Sequence, residues 1–318
     1  MVFLEIFAWT AFAWYVFVIT LVALGWVVIR FINAKSIVHN EEVLAETLPG
    51  VSILRPLKGL DPHLYDCLES TFVQKYPKFE VILSVADETD PAVSVAKEII
   101  VKYSDVDARI IIGDERIGQN PKINNLVRSE RQAKSLMIPG VQLVHHLPVC
   151  IASSSLPSVG SCLDEMFLST FHARMYSAIN RIAVTPCVIG KSNLFRRISL
   201  LSRAPKGLKE FSNYIAEDHL IATTLWTRRK SHFMAAEYVW QPVENVKISD
   251  YIARRIRWIR LRKYVVTVPT LVEPFTEITL DMFIYYGSFI CSFGWLWIIH
   301  NLIFYVLLYL LKLKMIPI

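Results

Sequence analysis

The chain has 318 residues, 53% of them hydrophobic and 19% charged, with a net charge of +6 and a mean hydropathy of +0.39. This excludes an ordinary soluble globule and a disordered polymer, and it points to a membrane protein with a sizeable aqueous part. The basic balance leaves an anionic membrane surface, a phosphate-bearing substrate or nucleic acid as partners. Five cysteines without CxxC spacing exclude a disulfide framework and a zinc site and suit a reducing, cytosol-facing domain.

Ile6 to Ile29 carries no charge and is long enough to cross a bilayer. Glu5 precedes this run, and Arg30 and Lys35 follow it. A cleaved signal peptide would carry basic residues before a shorter apolar core, so the run reads as an uncleaved anchor with the following domain in the cytosol. Val51 to Leu57 reads as a buried strand, and Asp61-Pro62 opens a helix with Asp61 as its cap. Phe79 to Ala86 is the next strand, Asp90-Pro91 the next helix start, Ala108 to Ile112 a third strand, and Asn120-Pro121 a third helix start. Strand–helix alternation at this spacing predicts an α/β domain built on a mainly parallel sheet. The Ser, Pro and Gly of Ala152 to Ser161 read as a loop. A second apolar region, Met282 to Leu311, is broken only by His300 and Asn301 and predicts one tilted span or a pair of short ones. The expected organisation is an anchor over 1–33, a cytosolic domain over 34–272 and a membrane region over 273–318.

In open α/β sheets ligands bind beyond the carboxyl ends of the strands. Asp87, Glu88 and Asp90 fall there; Asp90 is accounted for by capping, and Asp87 is left available for function. Glu217-Asp218, set among apolar residues, is either a solvated turn or a partly buried helix start, where burial would raise a carboxyl pKa toward that of a general base. The run from Arg254 to Lys263 holds Arg254, Arg255, Arg257, Trp258, Arg260 and Arg262. Arginines there can grip a diphosphate or lie on anionic lipid. Stacking aromatics are not interleaved as in single-strand binders, so nucleic acid is not a partner.

These stretches resemble the ceramide glucosyltransferases, of the GT-A fold and the large glycosyltransferase family 2. The resemblance is carried by VSILRPLKGLDPHL (51–64), VADETDP (85–91), NPKINNL (120–126), LVHHLP (143–148), EMFLSTFHARMY (165–176), YIAEDHL (214–220) and RRIRW (254–258), with HHLP and CVIGKSNLFRR (187–197) most like fungal members. It implies transfer of glucose from UDP-glucose to the primary hydroxyl of ceramide with inversion, Mg2+ or Mn2+ as cofactor, and a Golgi or ER membrane with the catalytic domain facing the cytosol. Carried over by motif, Asp218 is the general base and Asp87 contacts the uridine part. Arg254, Arg257 and Trp258 form the (Q/R)xxRW motif at the diphosphate. Lys122, His145 and Cys187 lie at the donor site. The motifs do not separate UDP-glucose from UDP-galactose and leave the oligomeric state open, a homo-oligomer included. A polysaccharide synthase of the same fold would need more carboxyl-terminal spans.

One departure stands out. The family has a strand ending in Asp-Ser, whose Asp helps hold the metal and the sugar diphosphate. Here RQAKS (131–135) runs directly into LMIPGVQLVHHLP, and no Asp or Glu occurs between Glu130 and Asp164. Roughly two dozen residues are missing by the resemblance. A parallel sheet deprived of an internal strand exposes unpaired backbone, so the chain is expected to be inactive or poorly folded.

Overall fold

A computed structural model of the protein describes residues 2–32, 49–133, 141–227 and 232–265. The expected membrane region over 273–318 and the junction at 134–140 lie outside the described residues. Helix α1, Val2–Val27, continues as a π turn over Val28–Ile32. It contains the one described segment, Trp9–Phe31, long and apolar enough to cross a membrane. Trp9, Phe12, Phe17 and Trp26 on it are exposed, while Val18, Val22 and Val28 are buried in one stripe.

Three βα units follow: β1 Val51–Leu57, α2 Leu64–Phe72, β2 Phe79–Val85, α3 Ala92–Lys102, β3 Asp107–Ile112 and α4 Pro121–Gln132. β1 and β3 both pair parallel with β2, in register Val51↔Phe79 and Glu80↔Asp107. β2 is apolar and buried along almost its whole length, as an internal strand covered on both faces must be. Two of the three anticipated helix starts are present. Asn120 caps α4 by accepting from the N–H of Lys122 and Ile123, with Pro121 in the first position. Asp90 accepts from Ala92 N at 2.9 Å and also from Gly59 N, which ties the turn after β1 to the start of α3. Asp61 instead caps a turn, accepting from His63 N, and α2 begins at Leu64.

The rest of the chain forms β4 Leu143–Ala152, α5 Val159–Ser169, α6 Phe171–Ile182, β5 Asn193–Phe195, the short α7 Arg197–Leu201, a 3-10 turn Gly207–Phe211, α8 Glu217–Leu225, β6 His232–Val243 and α9 Ile248–Val265. The expected loop is shorter than predicted, because α5 starts at Val159 under the cap of Ser158. β4 pairs parallel with β6 and, over Leu143–His145, antiparallel with β5. The described strands thus form two three-stranded sheets, β1-β2-β3 and β5-β4-β6. The pairing is mainly parallel, as anticipated, but one continuous sheet is not formed. Leu54 of β1 and Phe195 of β5 lie against a single core cluster built on Ile123, Leu143, Leu200 and Leu225, which joins the two halves. α1 packs along α6, where Gly25 lets the two backbones meet at Arg174.

Candidate active site

The site is assembled by the first turn of α4. Asn120 is buried. Its side-chain oxygen caps α4, and its Nδ2 donates to Tyr214 O at 2.7 Å and to Glu217 Oε2 at 2.8 Å. One residue past Pro121, Lys122 Nζ reaches Glu217 Oε1 at 2.8 Å. Both oxygens of Glu217 are therefore taken, and the start of α8 is fixed. The neighbouring Asp218 accepts from His219 N at 2.8 Å and faces Gly190. A side chain at Gly190 would crowd Asp218 Oδ2 and Lys122 Nζ, each 3.1 Å from its Cβ position. Burial raises the Asp218 pKa, the Glu217 charge raises it further, and Lys122 with the N–H groups of His219 and Gly190 pulls it back. Of the two expected forms of Glu217-Asp218, the structure has the partly buried helix start.

Beyond Gly190, Lys191 sits in the field of Arg254, Lys122 and Asp164, with burial holding its pKa down. Arg254 of α9 pairs with the buried Asp164 of α5. On the other side His145 is buried, its Nδ1 2.5 Å from Tyr176 Oη. Burial pushes the His145 pKa down to about 3, so the ring is neutral. Tyr176 is raised by burial and by the charges of Cys187 and Asp218, against a hydrogen bond from the backbone of Ile189. His145 thus hydrogen-bonds Tyr176, Cys187 packs in the same cluster, and Asp218 acts on the phenol through its charge.

Other residues fall differently. Asp87 stands just past β2 as anticipated, exposed, with Oδ1 accepting from Thr89 N and Thr89 Oγ1, bonds that lower its pKa. No described contact joins it to Asp218. Arg257 is exposed on α9, while Trp258 turns inward onto Phe167, ring centroids 6.2 Å apart. Arg255, which is not one of the motif positions, lies over the Phe167 ring at 3.4 Å. RRIRW therefore turns Arg254 toward the charged cluster and Trp258 into the core. A cavity of about 310 Å3 opens elsewhere, beside Glu130, Arg131, Arg197 and Lys209. Among the described residues no group of three or more His, Cys, Asp or Glu side chains gathers into a metal set. Reading the sequence missed Asn120, Asp164, Tyr176 and Lys191 as members of the site; only Asn120 carried a local signal, its cap, and that signal says nothing of Glu217.

A parallel sheet with carboxylates at its carboxyl rim, a lysine at the first turn of a rim helix and an arginine-rich helix beside it defines a GT-A-type glycosyltransferase. In overall shape the chain matches a mannosyltransferase from Pyrobaculum calidifontis, solved with GDP-Man and Mn2+, at a TM-score of 0.52 and 16% identity over 88% of each chain. The chain belongs to glycosyl transferase family 21, whose model matches residues 15–138 and 133–316, two pieces that meet at the junction. The motifs had suggested the number 2 for the family; the ceramide-directed assignment is the one supported. A ceramide glucosyltransferase of Komagataella phaffii is 35% identical over 355 residues, covering 87% of this chain and 68% of the relative. Ceramide glucosyltransferase 3 of Caenorhabditis elegans is 29% identical over 274 residues, covering 79% of this chain and 58% of the relative.

Proposed function

We propose that this protein is a membrane-anchored transferase that moves glucose from UDP-glucose to the primary hydroxyl of ceramide, with Asp218 as the base. The observation that carries the reading is the partly buried carboxylate of Asp218 at the start of α8, its pKa raised mainly by burial. Glu217 beside it is tied up by Asn120 and Lys122, whereas Asp218 is held by the backbone N–H groups of His219 and Gly190. Asp218 also acts electrostatically on Tyr176 of α6, the helix that packs on the anchor. In this reading the lipid hydroxyl approaches from the side of α6 and the anchor it packs on.

In this reading Asp218 takes the hydroxyl proton, and the oxygen attacks the anomeric carbon. The bond from that carbon to the diphosphate breaks with its electron pair leaving on UDP, which inverts the sugar to a β-linkage. Lys122, Lys191 and Arg254 supply positive charge on the same side as the leaving group. Asp87 stands at the rim for the uridine part, and Arg257 and Trp258 keep the roles their motif gives them, Arg257 from the solvent side. His145 and Cys187 support the donor side through Tyr176. Mg2+ or Mn2+ belongs to the proposal only by the resemblance and by the Mn2+ of the Pyrobaculum structure. The donor set described here does not fit a metal, and no step above depends on one. The proposed setting is a Golgi or ER membrane with 34–272 in the cytosol, the anchor over 1–33 and a membrane region over 273–318.

The divided sheet favours a second reading, in which this chain keeps a donor site but has lost turnover. Removing one preorganised charge stabiliser costs about 10²–10³ in rate. The test is calorimetric titration with UDP-glucose and transfer of radiolabelled glucose to ceramide by the full chain in nanodiscs. UDP-glucose binding with turnover about 100-fold or more below that of the Komagataella relative is the expected result. Absence of UDP-glucose binding overturns the enzymatic reading; turnover equal to the relative's overturns the second. In a turning-over chain, Asp218→Asn should abolish transfer and leave UDP-glucose binding intact.

A further inference from the structure

We infer that this chain holds the diphosphate of its donor with protein cations, Lys191 between Lys122 and Arg254, and binds UDP-glucose without a divalent metal. This rests on the donor-binding reading above and adds what neutralises the diphosphate.

A divalent cation is held through carboxylate oxygens, and those of the crevice are engaged. Glu217 has Oε1 on Lys122 Nζ and Oε2 on Asn120 Nδ2, both at 2.8 Å. Asp164 is buried and pairs with Arg254. Asp218 accepts from His219 N at 2.8 Å and from the N–H of Gly190. Asp87, at the end of β2, is turned onto Thr89. A metal ion placed among these groups would have to displace Lys122 or Arg254 and then set its own charge beside them. Among the described residues no three His, Cys, Asp or Glu side chains gather to compete for it. The chemistry of the donor set is thus that of a site prepared for an anion.

The loop before β5 supplies the remaining charge. Lys122 Nζ lies 3.5 Å from Gly190 O and 3.1 Å from the place a Cβ on Gly190 would take. Asp218 Oδ2 stands equally close to that place, so only a glycine lets the loop pass between the two groups. Two residues on, Ser192 Oγ is 3.0 Å from His146 Nδ1, and its carbonyl accepts from His146 N. The loop is pinned on both sides, and Lys191 leaves it between the pins. Among the described residues no carboxylate forms a salt bridge with Lys191, and the charge that acts on it most is that of Arg254. Its own charge reaches Cys67 of α2 and Cys150 of β4, so it stands between the two halves of the domain. Solvent reaches the side chain. The surrounding protein nevertheless removes enough hydration to lower its pKa, and Arg254 and Lys122 lower it further against Cys150 and Asp164. Glu217 and Asp164 balance Lys122 and Arg254, and Lys191 is the cation without such a partner. A diphosphate lying across the three would accept charge-assisted hydrogen bonds from each and supply the missing negative charge.

The test is calorimetric titration of the full chain in nanodiscs with UDP-glucose, first in EDTA and then with Mn2+. The two dissociation constants should agree within about twofold. Lys191→Gln should weaken binding in EDTA about tenfold or more, as for a lost charge-assisted hydrogen bond. Lys191→Arg should restore most of it, and neither variant should move the unfolding midpoint. Binding that appears only with Mn2+, or tightens about tenfold or more with it, overturns the inference and leaves the donor reading standing. Wild-type affinity of Lys191→Gln in EDTA also overturns it. Absence of binding in both conditions overturns the donor reading itself.

Discussion

The two halves of the domain are built from the same kinds of element and are closed to different degrees. Around β1-β2-β3, Leu68, Phe72, Val81, Leu83, Val85 and Ile99 form a core at most 3% exposed. Its buried carboxylate Glu80 is paired, to Arg109 at 2.8 Å. Around β5-β4-β6, buried polar atoms lack partners at Gln142, Asn193, Arg196, Arg197, His232 and Gln241, more than the Asn125 and Glu130 of α4. The apolar pattern is equally strong in both halves. The difference teaches that a sheet is completed by partners rather than by propensity: among the described residues β2 has a strand on each side, whereas β1 and β5 each pair with one.

The comparison can be broken or sharpened by measurement. The largest effect is expected in the closed half. Leu68→Ala should cost about 2–5 kcal/mol in chemical denaturation, as for a fully buried leucine that cannot be backfilled. Phe195→Ala, beside an apolar cavity of about 80 Å3, should cost distinctly less than the roughly 3–5 kcal/mol of a well-packed phenylalanine; equal costs would show that the cavity is filled in solution. Next is acid. The pKa values of His145 and His172 are held at about 3 and that of His232 at about 4, in each case mainly by burial, and all three lie in the second half. The folded state keeps these rings neutral, while the unfolded chain takes up protons below about 6.5. Stability is therefore full above that pH and falls as pH drops toward the folded values, by roughly 1 kcal/mol per pH unit per histidine. Unfolding midpoints at pH 7 and pH 5 check this, and His145→Gln should flatten the dependence. Smallest is Gln142→Leu, which removes an orphaned amide beside an apolar cavity. It should be neutral or stabilising by up to about 1 kcal/mol, and a loss above about 1 kcal/mol would mean that the amide is satisfied.

Much of the fold was legible because it is local. Asn120-Pro121 and Asp90-Pro91 announce helix starts through residues adjacent in sequence, and the apolar runs at 51–57 and 79–85 read as strands. Asp218 was legible as a candidate, but whether its helix start would be buried was not. That depended on Asn120 and Lys122 gripping Glu217 from nearly a hundred residues away. The resemblance placed Arg254, Arg257 and Trp258 at the diphosphate; their surroundings were not legible, since the rotation of α9 turns Arg254 to Asp164 and Trp258 onto Phe167 and leaves Arg257 exposed. Tyr176 gave no signal at all, since an aromatic on an amphipathic helix reads as core.

By itself, the sequence determined the apolar run that can cross a membrane, the three strand–helix units over 51–132 and the cap at Asn120, because each depends on neighbours within a turn or two. It also determined that no carboxylate lies between Glu130 and Asp164. Only the tertiary structure decided which of two adjacent carboxylates is locked by Asn120 and Lys122, which arginine faces the charged cluster, and that the described strands divide into two sheets. Those outcomes depend on hydrogen bonds and packing between segments distant in sequence, and their geometry is fixed only once the chain has folded.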